Sequence, residues 1–234
     1  MEQTQTVGIS SNLEVPSIST SNLDMKPIES DANKIVESFS DDSKIGRSGR
    51  NRIQIDIAES GGSDAGYKPN NLAIIKFYSL NTSKEWVLKQ TIEVESHALM
   101  NAQPMIEDFN NDKLKDVTFI SNTAARGANE VRTLLIYDKI KDVLILIKNS
   151  EDYPNLAYNN ILNCIDAWLF HGATTTVFLK LEDNLLREFA SVETGAERVV
   201  TLTDINGKTQ IIRREKMAED DIYTRYRSFN PPKP

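Results

Sequence analysis

The sequence predicts an all-β fold of antiparallel hairpins in a partial, β-propeller-like arrangement, behind a weakly structured N-terminal leader. Three observations carry that reading. Apolar side chains recur with period two along most of the chain, helical periodicity is nearly absent, and strand–turn–strand units repeat.

Composition sets the frame. The 234 residues are 39% hydrophobic, enough for one sizeable core, and no stretch approaches the roughly 18 consecutive apolar residues of a membrane span. Lys and Arg number 27 against 34 Asp and Glu, a net charge of −7 that argues against a general affinity for nucleic-acid phosphates. Cys164 is the single cysteine, so an intrachain disulfide and a zinc site built from several thiolates are excluded.

Taken in order, residues 1–30 contain no aromatic side chain, reach their first positive charge at Lys26 and are rich in Ser and Thr. Such a segment buries too little apolar surface to offset its ordering entropy and reads as a flexible leader. It lacks the basic start and apolar run of a secretory signal, so the expected compartment is the periplasm, behind a removed signal, with the cytoplasm as the alternative. Residues 31–228 read as a single β-rich domain and 229–234 as a C-terminal tail. The segment DANKIVESF (31–39) predicts a short helix capped by Asp31, with Ile35, Val36 and Phe39 on one side. GRSGRNR (46–52) offers charge for a phosphate or an acidic partner, but no aromatic residues interleave with it, which favours a solvated loop leading into a strand.

From there the strands follow one another. IQIDIA (53–58) alternates with Ile53, Ile55 and Ile57 on one face, and LAIIKFY (72–78), VTFIS (117–121), TLLIY (133–137) and VLILI (143–147) are β-branched or aromatic runs. TVFLKL (176–181), LLREF (185–189), VVTL (199–202) and TQIIR (209–213) continue the series between polar turns. Four hairpins, 74–93, 133–151, 176–193 and 199–215, superimpose as sequence. The first three carry an aromatic residue, Phe77, Tyr137 or Phe178, shortly before the turn. Repetition of this kind indicates blades or a meander packed around a shared core.

One motif has chemical content. In DFNNDKLKD (108–116) the side chains of Asp108, Asn110, Asp112 and Asp116 stand at the first, third, fifth and ninth positions, and the carbonyl of Leu114 occupies the seventh. Calcium takes roughly six to eight oxygens, and ligands on alternate residues of a tight loop aim them at one point. The twelfth position is Ile120 instead of glutamate, so this is not an EF-hand. Lys113 replaces the usual glycine at the sixth position, must adopt a left-handed or otherwise strained conformation and places a positive charge beside the site, a departure that should weaken affinity.

The order DFNNDKLKDVTFIS, ARGANEVRTLLIYD and a further hairpin after YPNLAYNN resembles the bacterial periplasmic lysozyme-inhibitor-like proteins with a β-propeller-like fold, over roughly residues 53–193. The resemblance implies a calcium-stabilised immunity or inhibitor protein that neutralises a secreted peptidoglycan hydrolase by inserting loops into its active site. It points to SGGSDAGY (60–67) as an inhibitory loop, with Ser60, Gly61, Asp64 and Tyr67 toward the partner, although Tyr67 lies farther from the glycine than in the family's Ser-Gly-x-x-Tyr pattern. AARGAN (124–129), with Arg126, is the second candidate. The alternative is a calcium-stabilised adhesion or carbohydrate-binding module.

Catalysis has little to stand on. Cys164 and the histidines His97 and His171 have no orienting acid beside them, and Cys164 lies in an apolar stretch suited to packing. Asp41 with Asp42 and Asp220 with Asp221 read as solvated surface, and phosphate-binding glycine loops, HExxH and GxSxG are absent from the sequence.

Overall fold

The alternation of isoleucines at 53, 55 and 57 is realised in the computed structural model, which describes residues 34–59, 71–97, 101–217 and 222–234. Among the described residues sixteen strands run antiparallel throughout: β1 (Lys34–Asp41), β2 (Asn51–Glu59), β3 (Asn71–Leu80), β4 (Trp86–Ser96), β5 (Met105–Glu107), β6 (Asp116–Ala124), β7 (Asn129–Asp138), β8 (Val143–Leu146), β9 (Ala157–Asn159), β10 (Cys164–Phe170), β11 (Thr174–Glu182), β12 (Leu185–Thr194), β13 (Glu197–Thr203), β14 (Thr209–Lys216), β15 (Ser228–Phe229) and β16 (Pro232–Lys233). Strand order equals chain order in every sheet. β1–β4 form a first meander, β5–β8 a second and β9–β14 a third, and β15 pairs with β16. Three successive meanders are the topology of propeller blades, and no sheet closes into a barrel.

The cores explain the sequence pattern. Ile53, Ile55, Ile57, Ile75 and Phe77 of the first meander pack against Val117, Phe119, Leu135 and Tyr137 of the second. On the other side of the second meander, Leu134 and Ile136 join Phe109 and Ile147 against Ile165, Val177 and Leu179 of the third. The middle sheet is therefore covered on both faces, which is why TLLIY reads as a continuous apolar run instead of alternating. Phe178, Ala190, Val192, Val200 and Tyr226 build a third cluster on the far face of the last sheet. The three repeated aromatics Phe77, Tyr137 and Phe178 are buried in these cores, and all four superimposed hairpins are present as β3–β4, β7–β8, β11–β12 and β13–β14.

Two expectations are corrected. The helix expected over 31–39 is strand from Lys34 onward, pairing with β2 through Phe39↔Ile55 and Glu37↔Ile57. Ile35 and Val36 stay exposed, so no helical stripe is buried; the open edge of β2 and the extended preference of Ile, Val and Phe decide the conformation. The tail expected at 229–234 forms the β15–β16 hairpin. Phe229 lies 5.5 Å from Phe178 and 5.8 Å from Phe189 between ring centroids, so its aromatic area anchors the terminus.

Candidate functional site

The candidate residues separate to opposite ends of the β layers. At one end lies the loop 108–115 between β5 and β6. Gly46 and Lys115 bridge it to the β1–β2 loop, and Arg47 Nη2 donates to Asp142 Oδ1 at 2.6 Å from that loop to the β7–β8 turn. Asn111 Nδ2 donates to Asn163 Oδ1 at 3.0 Å, joining the β9–β10 turn to the same end.

The oxygen-bearing side chains of 108–116 gather in one turn, but they accept from its own backbone. Asp108 takes the amides of Asp112 and Lys113 at 3.1 and 3.0 Å, Asn110 that of Asp112 at 3.1 Å, and Asp112 that of Leu114 at 2.8 Å. Asp116 is fully buried and holds two elements together, accepting from Phe109 N at 2.8 Å and Tyr137 N at 2.9 Å. Its carboxyl is pushed up to about 7, chiefly because burial disfavours the anion, with the charges of Asp112 and Asp108 adding to the rise. Lys113 adopts φ +73°, the left-handed conformation expected where it replaces glycine. Its ammonium turns to Asn111 Oδ1 at 2.5 Å. Among the described residues no three acidic, His or Cys side chains converge as a finished metal cage. Asp108, Asn110, Asp112, the Leu114 carbonyl and Asp116 are oxygen donors of the kind a hard cation takes, but both Asp116 oxygens are held by backbone amides and the Lys113 ammonium stands in the same turn.

At the other end, the turn between β6 and β7 carries Arg126. Ala125, Arg126 and Gly127 take φ values of +49°, +57° and +93° in succession, a conformation that costs side-chain-bearing residues energy and that the surroundings must hold. Ala128 N closes the turn onto Ala125 O at 3.2 Å, and Asn155 Nδ2 donates to Ala128 O at 2.9 Å. Asn129 fixes the neighbouring strand, donating to Phe170 O at 3.0 Å and accepting from Phe170 N at 2.9 Å. Residues 124–128 are all exposed. Ser60, Gly61, Asp64 and Tyr67 lie outside the described residues. The strands flanking them do reach this end, since Asn71 pairs with Ser96, and Ser96 Oγ and His97 N both donate to Ser121 O, three residues before Ala124.

The cysteine–histidine pair does not form. Cys164 opens β10 and His171 follows its last residue, so they stand roughly 20 Å apart along an extended strand. The Cys164 thiol is buried and pushed up to about 12, first by desolvation, and His171 Nε2 is shared with Thr175 Oγ1 at 2.8 Å. Sequence reading missed a cleft of about 300 Å³ between the 108–115 loop and the third sheet, with Phe109, Leu179 and Leu181 as apolar lining and Asn110, Tyr158 and Asn163 as polar lining. Nothing in local periodicity signals it, because its walls come from strands far apart in sequence.

No family model matches the chain, and no curated protein matches it. Among solved structures the chain is similar to a type IV secretion system related protein from Xanthomonas, at 12% identity and a TM-score of 0.46, over 78% of this chain and 97% of that one.

Proposed function

We propose that the protein is a periplasmic immunity or inhibitor protein, not an enzyme, that binds a secreted peptidoglycan-hydrolysing toxin through the loops at the Arg126 end and blocks its active site. The observation that carries this reading is the 125–127 turn: exposed, left-handed over three successive residues and braced by Asn155. Strain retained at an exposed turn is characteristic of binding sites, and a rigid turn loses little entropy when it enters a cleft. The net charge of −7 suits a basic hydrolase that works on an anionic wall. The same reading gives the loop of Asp108, Asn110, Asp112, Leu114 and Asp116 a structural calcium ion, which would neutralise carboxylates at the end away from the contact.

The test is co-expression with the toxin encoded beside the gene. Arg126→Ala and Tyr67→Ala are expected to weaken the complex by about tenfold or more each. Full protection by both variants would discard the loop assignment, and absence of any complex with the wild type would discard the toxin. The cleft lined by Tyr158, Asn110 and Asn163 favours a second reading, a calcium-stabilised carbohydrate-binding module. Retention on a polysaccharide column, lost in Tyr158→Ala, would support it.

A further inference from the structure

We propose that the end of the fold opposite Arg126 docks on an anionic lipid bilayer through aliphatic side chains at the tips of its hairpin turns. In the third meander the β9–β10, β11–β12 and β13–β14 turns lie along one edge, and they present Ile161, Leu185 and Ile205, exposed by 61%, 47% and 78%. Two strand spacings separate successive turns, which sets these side chains about 10 Å apart in a row. The β7–β8 turn, joined to the same end through Asp142 and Arg47, adds Ile140, exposed by 88%. One exposed aliphatic residue in or directly flanking each of these turns differs from the scattering of single apolar residues that ordinary surfaces carry.

The tips are rigid. Asp138 Oδ1 accepts from Ile140 N at 2.8 Å and Lys141 N at 3.1 Å; Asn159 Oδ1 accepts from Ile161 N and Leu162 N at 3.0 Å; and Asp204 Oδ1 accepts from Asn206 N at 2.8 Å and Lys208 N at 2.9 Å. These clamps hold the turns in shape through one oxygen of each carboxylate, and Asp204 itself stays exposed. Lys139, Lys148 and Lys208 remain exposed around the tips, and Lys141 is exposed with its ammonium 3.7 Å from Asp138 Oδ2. Glu182 beside Leu185 is paired with Arg187, and Asp183 is the carboxylate left facing outward there. Isolated aliphatic tips with lysines beside the Ile140, Leu185 and Ile205 turns suit the boundary between lipid headgroups and acyl chains, where lysine stems lie along apolar surface and ammonium groups meet lipid phosphates. A protein partner is less favoured, because protein interfaces concentrate aromatic residues and arginine and deplete lysine.

The full chain is to be sedimented with vesicles of phosphatidylcholine containing phosphatidylglycerol, and with phosphatidylcholine alone. Partitioning is expected on the mixed vesicles and is expected to fall with added salt. Lys139→Gln and Lys141→Gln should each lower it about fivefold, and the pair Ile140→Ser with Ile205→Ser by more than tenfold. Ile35→Ser, an exposed isoleucine at the far end of β1, serves as control and should leave it unchanged, and thermal melts confirm that each variant folds. The proposal is overturned if the wild type ignores phosphatidylglycerol or if the double isoleucine variant partitions as well as the wild type. Loss of toxin protection in that variant, with no vesicle binding by the wild type, would assign this end to a protein instead.

Discussion

Replacing Asp142 by asparagine tests how the first two meanders are tied. The carboxylate lies in the β7–β8 turn, accepts from Arg47 of the β1–β2 loop at 2.6 Å, from Tyr137 Oη at 2.8 Å and from Asn51 Nδ2 at 3.0 Å, and its side chain is 20% exposed. Burial alone would push its pKa up. Hydrogen bonds from Ser79, Tyr137, Asn51 and Arg47 outweigh that and bring it down from 3.8 to about 2. Because the folded value lies below the unfolded one, the contribution is complete above about pH 4 and disappears as the pH falls through about 2. Its size is on the order of 2 kcal/mol at neutral pH, or roughly 4–8 °C in melting temperature for a chain of this length. Urea unfolding of wild type and Asp142→Asn at pH 7 should show that gap, and the two curves should converge at the lowest pH at which both still fold. A gap that persists undiminished near pH 2, or none at pH 7, would refute the electrostatic account.

Lys113→Gly relieves a left-handed residue at φ +73° and should raise stability by about 0.5–1 kcal/mol, read in the same urea titration. Calcium should raise the melting temperature of the wild type, and Asp112→Ala should abolish the rise; equal melts in calcium and in chelator would remove the cation from the loop. Gly46→Ala places a Cβ 2.8 Å from Asn51 Oδ1 on a residue at φ +55°, so a loss of more than about 2 kcal/mol is expected by calorimetry. Phe178→Ala removes a ring with no exposed surface from the third core and should cost about 3–5 kcal/mol, with tryptophan fluorescence following the earlier transition.

The strands were legible in the sequence wherever one face meets a core and the other meets water. Ile53, Ile55 and Ile57 show this, as does the continuous TLLIY of the doubly covered β7. The β10 run CIDAWLF was not, because Asp166 interrupts its alternation; that carboxylate is buried and paired with Arg225, a residue far along the chain that no local window contains. Lys34–Asp41 was misread for a related reason: its spacing suits a helix, and only the waiting edge of β2 makes it a strand. At the candidate site, the gathering of oxygen-bearing side chains in the 108–116 turn and a strained backbone at Lys113 could be read from spacing alone. That Arg126 stands at the other end, and that Asp116 spends both oxygens on backbone amides, follows from strand pairing across the sheets.

The middle sheet lies between two neighbours, and chain order equals spatial order. Each meander is therefore synthesised whole before the next begins, and its strands find partners at short sequence separation, which favours rapid local pairing on the ribosome. The faces of the first meander, by contrast, stay wet until Leu135 and Tyr137 emerge, and those of the second until Ile165 and Leu179 follow. A chain stopped after residue 97 therefore presents a bare isoleucine face, and one stopped near 150 presents Leu134 and Ile136. Such fragments are the species a chaperone would hold. The last meander, closed over by the C-terminal hairpin with Phe229, is the piece whose arrival finishes the hydrophobic stack.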